Sequence, residues 1–356
     1  MERVVVGMSG GVDSSVAAYL LKQQGFEVIG LFMKNWEETD PNGVCTAEED
    51  FADVRRVCQQ LELPYYAVNF SKEYYDRVFE QFLAAYRAGR TPNPDVLCNR
   101  EIKFGPFSDF AKKLGARFVA TGHYARLVRE GDRVLLYKAA DPNKDQSYFL
   151  HQLTGEQLSM ALFPLADLRK DEVRKIAAEL GLSTAAKKDS TGICFIGERK
   201  VRAFLQIFLP ARPGDILEMG SGKKVGRHEG VMYYTLGQRK GLNIGGVSGG
   251  GQGRWFVVEK DVRNNILWVE QNEGEDLFRS ELTMHGVNWI PAPPSERFAC
   301  LAKTRYRQPD QQAEAALLPD GGVRVRFAVP QRAVTAGQYC VLYAPDGRVI
   351  GGGEID

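Results

Sequence analysis

The first 200 residues alternate short apolar runs with longer segments in which apolar residues recur every three or four positions. Runs of the first kind predict buried strands, and segments of the second kind predict amphipathic helices. Strands are predicted at residues 3–8, 27–33, 64–70 and 117–121, and helices at residues 14–24, 46–61, 73–88 and 170–180. This alternation predicts an α/β fold, with a parallel sheet covered by helices on both faces.

The pattern changes after about residue 207, where short strand-like runs are separated by turn residues. The runs lie at residues 231–236, 255–259, 266–269, 298–306, 323–327 and 339–343. Such a series is typical of small all-β modules or barrels. Because 356 residues exceed one ordinary core, we expect two or three domains.

Hydrophobic residues make up 44% of the chain and charged residues 26%, the balance of a globular protein in water. No apolar run reaches the ~20 residues that a membrane span needs, and the first residues lack the features of a signal peptide. We therefore expect a cytoplasmic protein with no membrane partner. In that compartment the six cysteines are expected to be unbridged.

The net charge of +1 hides two basic segments. Residues 199–240 hold nine Lys or Arg against three Asp or Glu, a net charge of +6, and residues 297–332 carry +4. These segments are consistent with a phosphate-binding face, and equally with ordinary solvated surface.

The sequence Ser9-Gly10-Gly11-Val12-Asp13-Ser14-Ser15 follows a predicted strand and precedes a predicted helix. The glycines permit a tight turn with free N–H groups, which together with the helix dipole would bind a phosphate. Asp13 would repel that phosphate unless Mg²⁺ lies between them, so it is a candidate metal ligand. The stretch is not a Walker A loop, because no Gly-Lys-Ser/Thr ends it. It resembles the pyrophosphate loop of ATP pyrophosphatases.

Cys98 lies in a segment with two prolines and two asparagines, residues 90–99, which predicts an irregular, solvent-facing loop. Asp95 is three residues away, close enough to act on the same substrate atom. Cys194 follows a glycine and a polar turn with two lysines nearby, which would raise the thiolate fraction. For each cysteine alone, a buried small hydrophobe is the alternative.

The other cysteines fit packing better: Cys58 falls on an apolar helical stripe, and Cys300 and Cys340 lie in strand-like runs. Cys45 has no recognisable chemical neighbourhood. Neither a Cys-x-x-Cys pair nor a His/Cys cluster with metal-ligand spacing is present, so we expect neither zinc nor an iron–sulfur cluster.

Several motifs together resemble one family, the tRNA-specific 2-thiouridylases, over nearly the whole chain. They are Gly7 to Ser14, Pro92-Asn93-Pro94-Asp95 with Cys98-Asn99, Thr121 to Tyr124, Asp141 to Tyr148, Ser190 to Phe195, Tyr234 to Gly241 and Lys303 to Arg307. The resemblance implies an ATP pyrophosphatase domain at residues 1–200, a small central β domain at 201–275 and a C-terminal β-barrel at 276–356. It also implies a reaction: ATP adenylates the C2 carbonyl oxygen of the wobble uridine in tRNA for Lys, Glu and Gln, a persulfide then delivers sulfur to C2, and AMP leaves.

The resemblance further implies residue roles. Cys194 would carry the persulfide, Cys98 would complete the transfer and leave a Cys98–Cys194 disulfide, and Asp95 would act as acid or base. The implied ATP site comprises Gly7, Met8, Ser9, Gly10, Gly11, Val12, Asp13, Ser14, Met33 and Gly122. The implied tRNA contacts are Asn93, Pro94, Asp95, His123, Lys144, Asp145, Gln146, Arg305, Tyr306 and Gln338. A sulfur-relay protein or a cysteine desulfurase would supply the sulfur.

Two other functions share part of this pattern. A pyrophosphate-loop ligase or amidotransferase for a small molecule would have the first motif, but would need neither Cys98 nor Cys194 nor basic β domains. A non-enzymatic RNA-binding protein would need no intact phosphate loop. AMP formation that requires RNA separates the thiolation enzyme from both.

Overall fold

The computed structural model describes residues 1–36, 46–188, 201–210, 212–244 and 253–356. Up to residue 210, strands and helices alternate as the sequence predicts. The strands are β1 (Arg3–Met8), β2 (Glu27–Lys34), β3 (Tyr65–Asn69), β4 (Phe118–Ala120), β5 (Arg126–Glu130), β6 (Arg133–Tyr137) and β7 (Ala161–Leu162). The helices are α1 (Val12–Gln23), α2 (Thr46–Gln60), α3 (Ser71–Tyr74), α4 (Glu80–Arg87), α5 (Pro94–Cys98), α6 (Pro106–Lys113), α7 (Ser147–Leu150), α8 (Gly155–Met160), α9 (Lys170–Glu179) and α10 (Val201–Phe208).

Five of these strands form a parallel sheet in the order β3-β2-β1-β4-β7, and β5 and β6 form a separate hairpin. The central strand β1 alternates between two cores: Val4 and Val6 belong to one apolar cluster and Val5 to the other. Helices α1, α2 and α9 cover the first face, and the helical run from α3 to α6 covers the second. The predicted doubly covered parallel sheet is confirmed.

The strand order places a switch point at the carboxyl end of β1. The chain leaves β1 through α1 to reach β2 on one side, while β4 pairs with β1 on the other side. Loops after neighbouring parallel strands diverge at such a point, and the crevice between them is where ligands bind in open α/β sheets.

The central domain follows α10 and is a four-stranded sheet in the order β10-β11-β8-β9. Its strands are β8 (Gly214–Glu218), β9 (Lys224–His228), β10 (Trp255–Asp261) and β11 (Ile266–Gln271). Residues 231–236, which the sequence pattern predicts as a strand, are not one: Val231–Tyr233 form a 3₁₀ turn. The side chains of Val231, Tyr233 and Tyr234 are buried by the fold around them, so the apolar run reflects burial and not strand pairing.

The C-terminal domain is a closed six-stranded barrel in the order β12-β15-β14-β13-β16-β17. Its strands are β12 (Phe278–Trp289), β13 (Arg297–Lys303), β14 (Gln311–Leu317), β15 (Val323–Arg332), β16 (Tyr339–Tyr343) and β17 (Val349–Ile355). Closure leaves this sheet without the unpaired edges of an open one. The predicted barrel is therefore confirmed.

Strand β16 packs on both of its faces. Cys340 and Leu342 point into the barrel, while Tyr339, Val341 and Tyr343 belong to an apolar cluster shared with the α/β domain. The same cluster includes residues of the central sheet, such as Val257. One continuous core thus joins all three domains. No helix in the described parts of the chain is long and apolar enough to cross a membrane.

Candidate active site

The turn between β1 and α1 is shaped by its glycines and serines. Gly10 has φ +75°, and a Cβ at this position would lie 2.6 Å from the Asp50 carbonyl oxygen, so only glycine fits. The Ser14 hydroxyl accepts a hydrogen bond from Ser9 N at 3.2 Å and donates to Gly11 O at 3.1 Å. Ser15 also donates to Gly11 O, at 2.8 Å. These bonds fix the turn from its inner side.

Helix α1 begins at Val12 with Gly11 as its N-cap, and no side chain caps it. The first N–H groups of a helix lack partners within the helix, and with the helix dipole they attract anions. The turn therefore has the features of the phosphate cradle that the sequence predicts.

Gly122, two residues beyond β4, packs directly against this cradle. A Cβ on Gly122 would lie 2.7 Å from Ser14 N and 2.8 Å from the Asp13 carbonyl carbon. Met33, at the same edge of the sheet, is half-buried near the end of β2. The residues that the resemblance assigns to ATP thus lie at the carboxyl edge of β1, β2 and β4, where the switch point is.

Asp13 is engaged by a lysine that the sequence interpretation missed. Lys170 Nζ, at the start of α9, donates to both carboxylate oxygens of Asp13, at 2.7 and 2.8 Å. The Tyr124 hydroxyl adds a third bond to Asp13 at 2.7 Å. The charge of Asp13 is therefore compensated by the ammonium group of Lys170. Among the described residues, no group of three or more His, Cys, Asp or Glu could hold a metal.

Of the segment predicted as an irregular, solvent-facing loop, residues 90–93 are irregular, but Pro94–Cys98 form the short helix α5, so the prediction is wrong for the part that holds Cys98. Asn93 is its N-cap and accepts a hydrogen bond from Asp95 N at 3.2 Å, and Pro94 occupies the first turn. Asn followed by Pro is a helix-start signal as well as a turn signal, which explains the error. Cys98 ends this helix and is only 3% exposed, packed among apolar side chains of the shared core.

Asp95 and Cys98 are three residues apart on α5 and therefore lie on one face of the helix. Part of the Asp95 side chain is exposed. The surrounding protein nevertheless removes water from its carboxyl group, and this desolvation raises the pKa of that group above the ordinary value. The positive charge of Lys103 opposes that rise. Lys103 ends the π-helical turn Asn99–Lys103 that continues α5.

His123 faces the same lysine. Burial lowers the pKa of His123 well below its ordinary value, and the charge of Lys103 lowers it further, so the imidazole is neutral at pH 7. Its Nδ1 lies 2.7 Å from Thr121 Oγ1, and the Phe163 ring packs edge-on against it. The positive charge of Lys103 thus acts on both Asp95 and His123.

Gly122 and His123 connect the two halves of the site. They are consecutive residues: Gly122 lies against the cradle, and His123 packs on the Phe163 ring, which also contacts Phe104 at the end of the turn that continues α5. The cradle and the end of that turn therefore both lie beside the residues that follow β4. A nucleotide held by the first would lie beside a substrate held at the second.

The chain entering residue 189 is anchored beside the cradle. Lys187 Nζ donates to Asp50 at 2.8 Å and to Asp53 at 2.6 Å, and Thr184 donates to Ser15 at 3.2 Å. The predicted persulfide carrier Cys194 lies outside the described residues, as does Cys45. The predictions for the remaining cysteines are confirmed, since Cys58, Cys300 and Cys340 are all buried.

Residues 144–146, predicted as tRNA contacts, make bonds within the protein. Asp145 is buried and accepts hydrogen bonds from Ala139 N and from Ser147, and its burial raises the pKa of its carboxyl group. The Gln146 side chain accepts from Tyr124 N at 3.0 Å. This turn therefore supports Tyr124, whose hydroxyl reaches Asp13.

The predicted tRNA contacts in the barrel also lie at domain junctions. Arg305 donates to Ala333 O at 3.1 Å and to Thr335 Oγ1 at 2.9 Å, and its burial lowers the pKa of the guanidinium. The Tyr306 ring lies 4.4 Å from the Phe149 ring, beside the turn of residues 144–146. Two segments that are far apart in sequence are thus adjacent.

Comparison with known proteins identifies the family. Models named tRNA methyl transferase HUP domain, tRNA methyl transferase PRC-barrel domain and Aminomethyltransferase beta-barrel domain match residues 2–198, 202–271 and 279–355. The chain is 58% identical over 359 residues to the tRNA-specific 2-thiouridylase MnmA of Lysinibacillus sphaericus, covering 99% of this chain and 94% of that protein. The Bacillus subtilis protein of that name is 55% identical, with 99% and 95% covered.

The chain belongs to the tRNA-specific 2-thiouridylase family. This is a family of tRNA-thiolating transferases, as the motifs indicated. Three residues that pattern reasoning did not assign within the family site are Lys103, Tyr124 and Lys170. Of these, Lys170 could have been found from the sequence. A cation in the first turn of a helix is disfavoured by the positive end of the helix dipole, which indicates that an anionic partner outside the helix stabilises it.

Proposed function

We propose that this protein 2-thiolates the wobble uridine of tRNAs for Lys, Glu and Gln in an ATP-dependent reaction that releases AMP and pyrophosphate. Family membership supports the class of reaction. The observation that supports the rest is the position of two consecutive residues: Gly122 lies against the cradle, and His123 packs on the Phe163 ring beside Phe104, at the end of the turn that continues α5. Activation of a base and replacement of its oxygen require such adjacency.

In the first step, the C2 oxygen of uridine attacks the α-phosphorus of ATP, and pyrophosphate leaves. The cradle from Gly7 to Ser14, together with Gly122, would hold the phosphates, and Met33 would lie near the adenine. Asp95 would move a proton at the base, and Asn93 and Pro94 would line it. A carboxyl group whose pKa is raised towards neutrality exchanges protons more readily near pH 7.

In the second step, the terminal sulfur of a persulfide on Cys194 attacks C2, and AMP leaves with the former C2 oxygen. The Cys98 thiolate then attacks Cys194 Sγ and expels the sulfur now bonded to C2. The products are 2-thiouridine and a Cys98–Cys194 disulfide, which a reductant must reopen. Lys187 stands beside the cradle seven residues before Cys194, so the covalent chain limits their separation to ~25 Å.

Mg²⁺ is proposed to enter with ATP. Asp13 is the carboxylate of the cradle and fits such an ion chemically, since Mg²⁺ takes one or two protein carboxylates besides substrate phosphates. The ion would neutralise phosphate charge. The chain's own contribution is the pairing of Asp13 with Lys170, which keeps the carboxylate from repelling the phosphates.

The tRNA is proposed to contact residues of both the α/β domain and the barrel: His123, Lys144, Asp145, Gln146, Arg305, Tyr306 and Gln338. Because Asp145, Arg305 and Gln338 already bond within the protein, RNA would use their remaining atoms or exchange those bonds. The basic segments 199–240 and 297–332 would attract the phosphate backbone. A sulfur-relay protein or a cysteine desulfurase in the cytoplasm would supply the persulfide.

The test is mass spectrometry of nucleosides from tRNA incubated with the protein, ATP, Mg²⁺ and a persulfide donor. The expected product is uridine with one oxygen replaced by sulfur, together with AMP that forms only when RNA is present. Cys194→Ser and Cys98→Ser should lose the product, whereas Cys300→Ala, a change inside the barrel, should retain it. AMP formation without RNA, or thiolation by the Cys194→Ser variant, would refute the proposal.

A further inference from the structure

The segment that leads into α5, residues 90–93, forms several hydrogen bonds with the barrel. Thr91 N donates to Ala336 O at 2.8 Å. Gln338 Nε2 donates to Thr91 O at 2.8 Å and to Pro92 O at 3.3 Å. Both carbonyls immediately ahead of Asn93 therefore bond to one barrel side chain. We call Thr91, Pro92 and Gln338 the clamp.

The turn that carries Gln338 is in direct contact with this segment. Gly337 has φ +89°, and a Cβ there would lie 2.9 Å from both Thr91 N and Arg90 Cβ. Arg90 itself pairs with Glu354 at 2.8 Å and donates to Ile355 O at 2.6 Å, at the end of β17. Strand β17 and the turn before β16 thus hold the residues that precede α5.

The central domain reaches the same segment. Thr235 Oγ1 and Lys260 Nζ both lie 3.5 Å from Thr91 Oγ1. Thr91 is therefore the residue at which all three domains meet. A displacement of either β domain would be transmitted to the start of α5.

We propose that Gln338 is a positioning residue, which sets the place of Asp95 and Cys98 through the backbone of Thr91 and Pro92. Helix α5 runs on into the π-helical turn Asn99–Lys103, so its free end is its start, which is defined by the Asn93 cap. The place of that start depends on what holds Thr91 and Pro92, the two residues before the cap. The Gln338 amide nitrogen donates both of its hydrogens, one to Thr91 O and one to Pro92 O. This inference rests on the proposed thiolation activity and assigns Gln338 a task that is separate from holding RNA.

The test compares Gln338→Met and Gln338→Glu with the wild type. Methionine retains the volume but removes both donors. Glutamate retains the shape but places a carboxylate against two carbonyl oxygens. Single-turnover thiolation is measured at saturating ATP and tRNA with enzyme loaded with persulfide beforehand, and tRNA affinity is measured separately. Gln312→Ala, which changes an exposed glutamine on β14, is the matched control.

We expect both Gln338 variants to thiolate about 10- to 100-fold more slowly at saturating tRNA, where a loss of tRNA affinity no longer limits the rate. Glutamate should be the slower of the two. Wild-type thiolation rates in both variants would overturn the proposal. A weaker Kd with an unchanged rate at saturating tRNA would also overturn it, and would make Gln338 an RNA contact only. Absence of thiouridine with the wild-type enzyme would instead refute the proposed function.

Discussion

Replacing Lys170 by Met tests how an aspartate is tolerated in a phosphate cradle. The Lys170 side chain is 12% exposed and that of Asp13 31%, and their contact is bidentate. Methionine retains most of the lysine stem and removes the charge. The carboxylate would then keep one bond, from Tyr124, and face incoming phosphates with its charge uncompensated.

The size of the effect follows from the burial of this pair. Two unit charges 4 Å apart interact by about 4 kcal/mol at an effective dielectric constant of 20, and by about 1 kcal/mol in water. A half-buried carboxylate facing a phosphate falls between these limits, at about 1.4–2.8 kcal/mol. That range corresponds to roughly 10- to 100-fold weaker ATP binding in Lys170→Met. Replacing Asp13 by Asn in the same chain removes the repelling charge and should restore about tenfold.

The assay is ATP affinity by equilibrium binding, with and without Mg²⁺, for the wild type, both single variants and the double variant. The free energy of coupling is read from the double-mutant cycle. Lys175→Met, on the exposed side of the same helix, is the control and should bind ATP as the wild type does. Unchanged affinity in Lys170→Met, or strictly additive losses in the double variant, would refute the reasoning.

Three further changes test other parts of the structure. Lys103→Met should move the acid limb of the thiolation pH profile to higher pH, because Lys103 lowers the pKa of Asp95; an unmoved limb would contradict this. Lys260→Met should raise the free energy of unfolding at pH 7 by about 1–3 kcal/mol in urea titrations, because burial lowers the pKa of Lys260 to about 8. That gain should shrink as pH rises from 8 to 10.5, since the folded wild type loses its proton first; a constant difference would count against burial of the charge. Gly122→Ala should slow AMP formation about 10- to 100-fold, because its Cβ would meet Ser14 N, whereas Gly155→Ala, with open space around it, should not.

The elements of the α/β domain could be predicted because their patterns are local. Strand β1 spans the predicted residues 3–8. Helix α9 ends just before Gly181, which has φ +65°, as the sequence predicts. The phosphate cradle was predictable for the same reason: strand, glycine turn and helix are contiguous in sequence. The hairpin of β5 and β6 was missed, because its strands are short and partly exposed.

The parts that the sequence did not predict depend on contacts between distant segments. The burial of Cys98 comes from the shared core, and no local pattern reports it. Lys170 meets Asp13 across 157 positions, and Gln338 meets Thr91 across 247. Resemblance to the family assigned Gln338 a role, but only coordinates reveal which atoms it bonds. The error at residues 231–236 has the same origin, since burial there is imposed by tertiary packing.

The two-sided burial of β16 has a consequence for dissecting this enzyme. In a barrel expressed alone, the side chains of Tyr339, Val341 and Tyr343 would be exposed to water as a contiguous apolar surface. A truncated chain ending before residue 278 would expose the surface against which these residues pack, including Tyr148, whose hydroxyl donates to Tyr339 O. Fragments cut at the apparent domain borders should therefore associate or precipitate, and complementation by mixing the two pieces should work better than either piece in isolation.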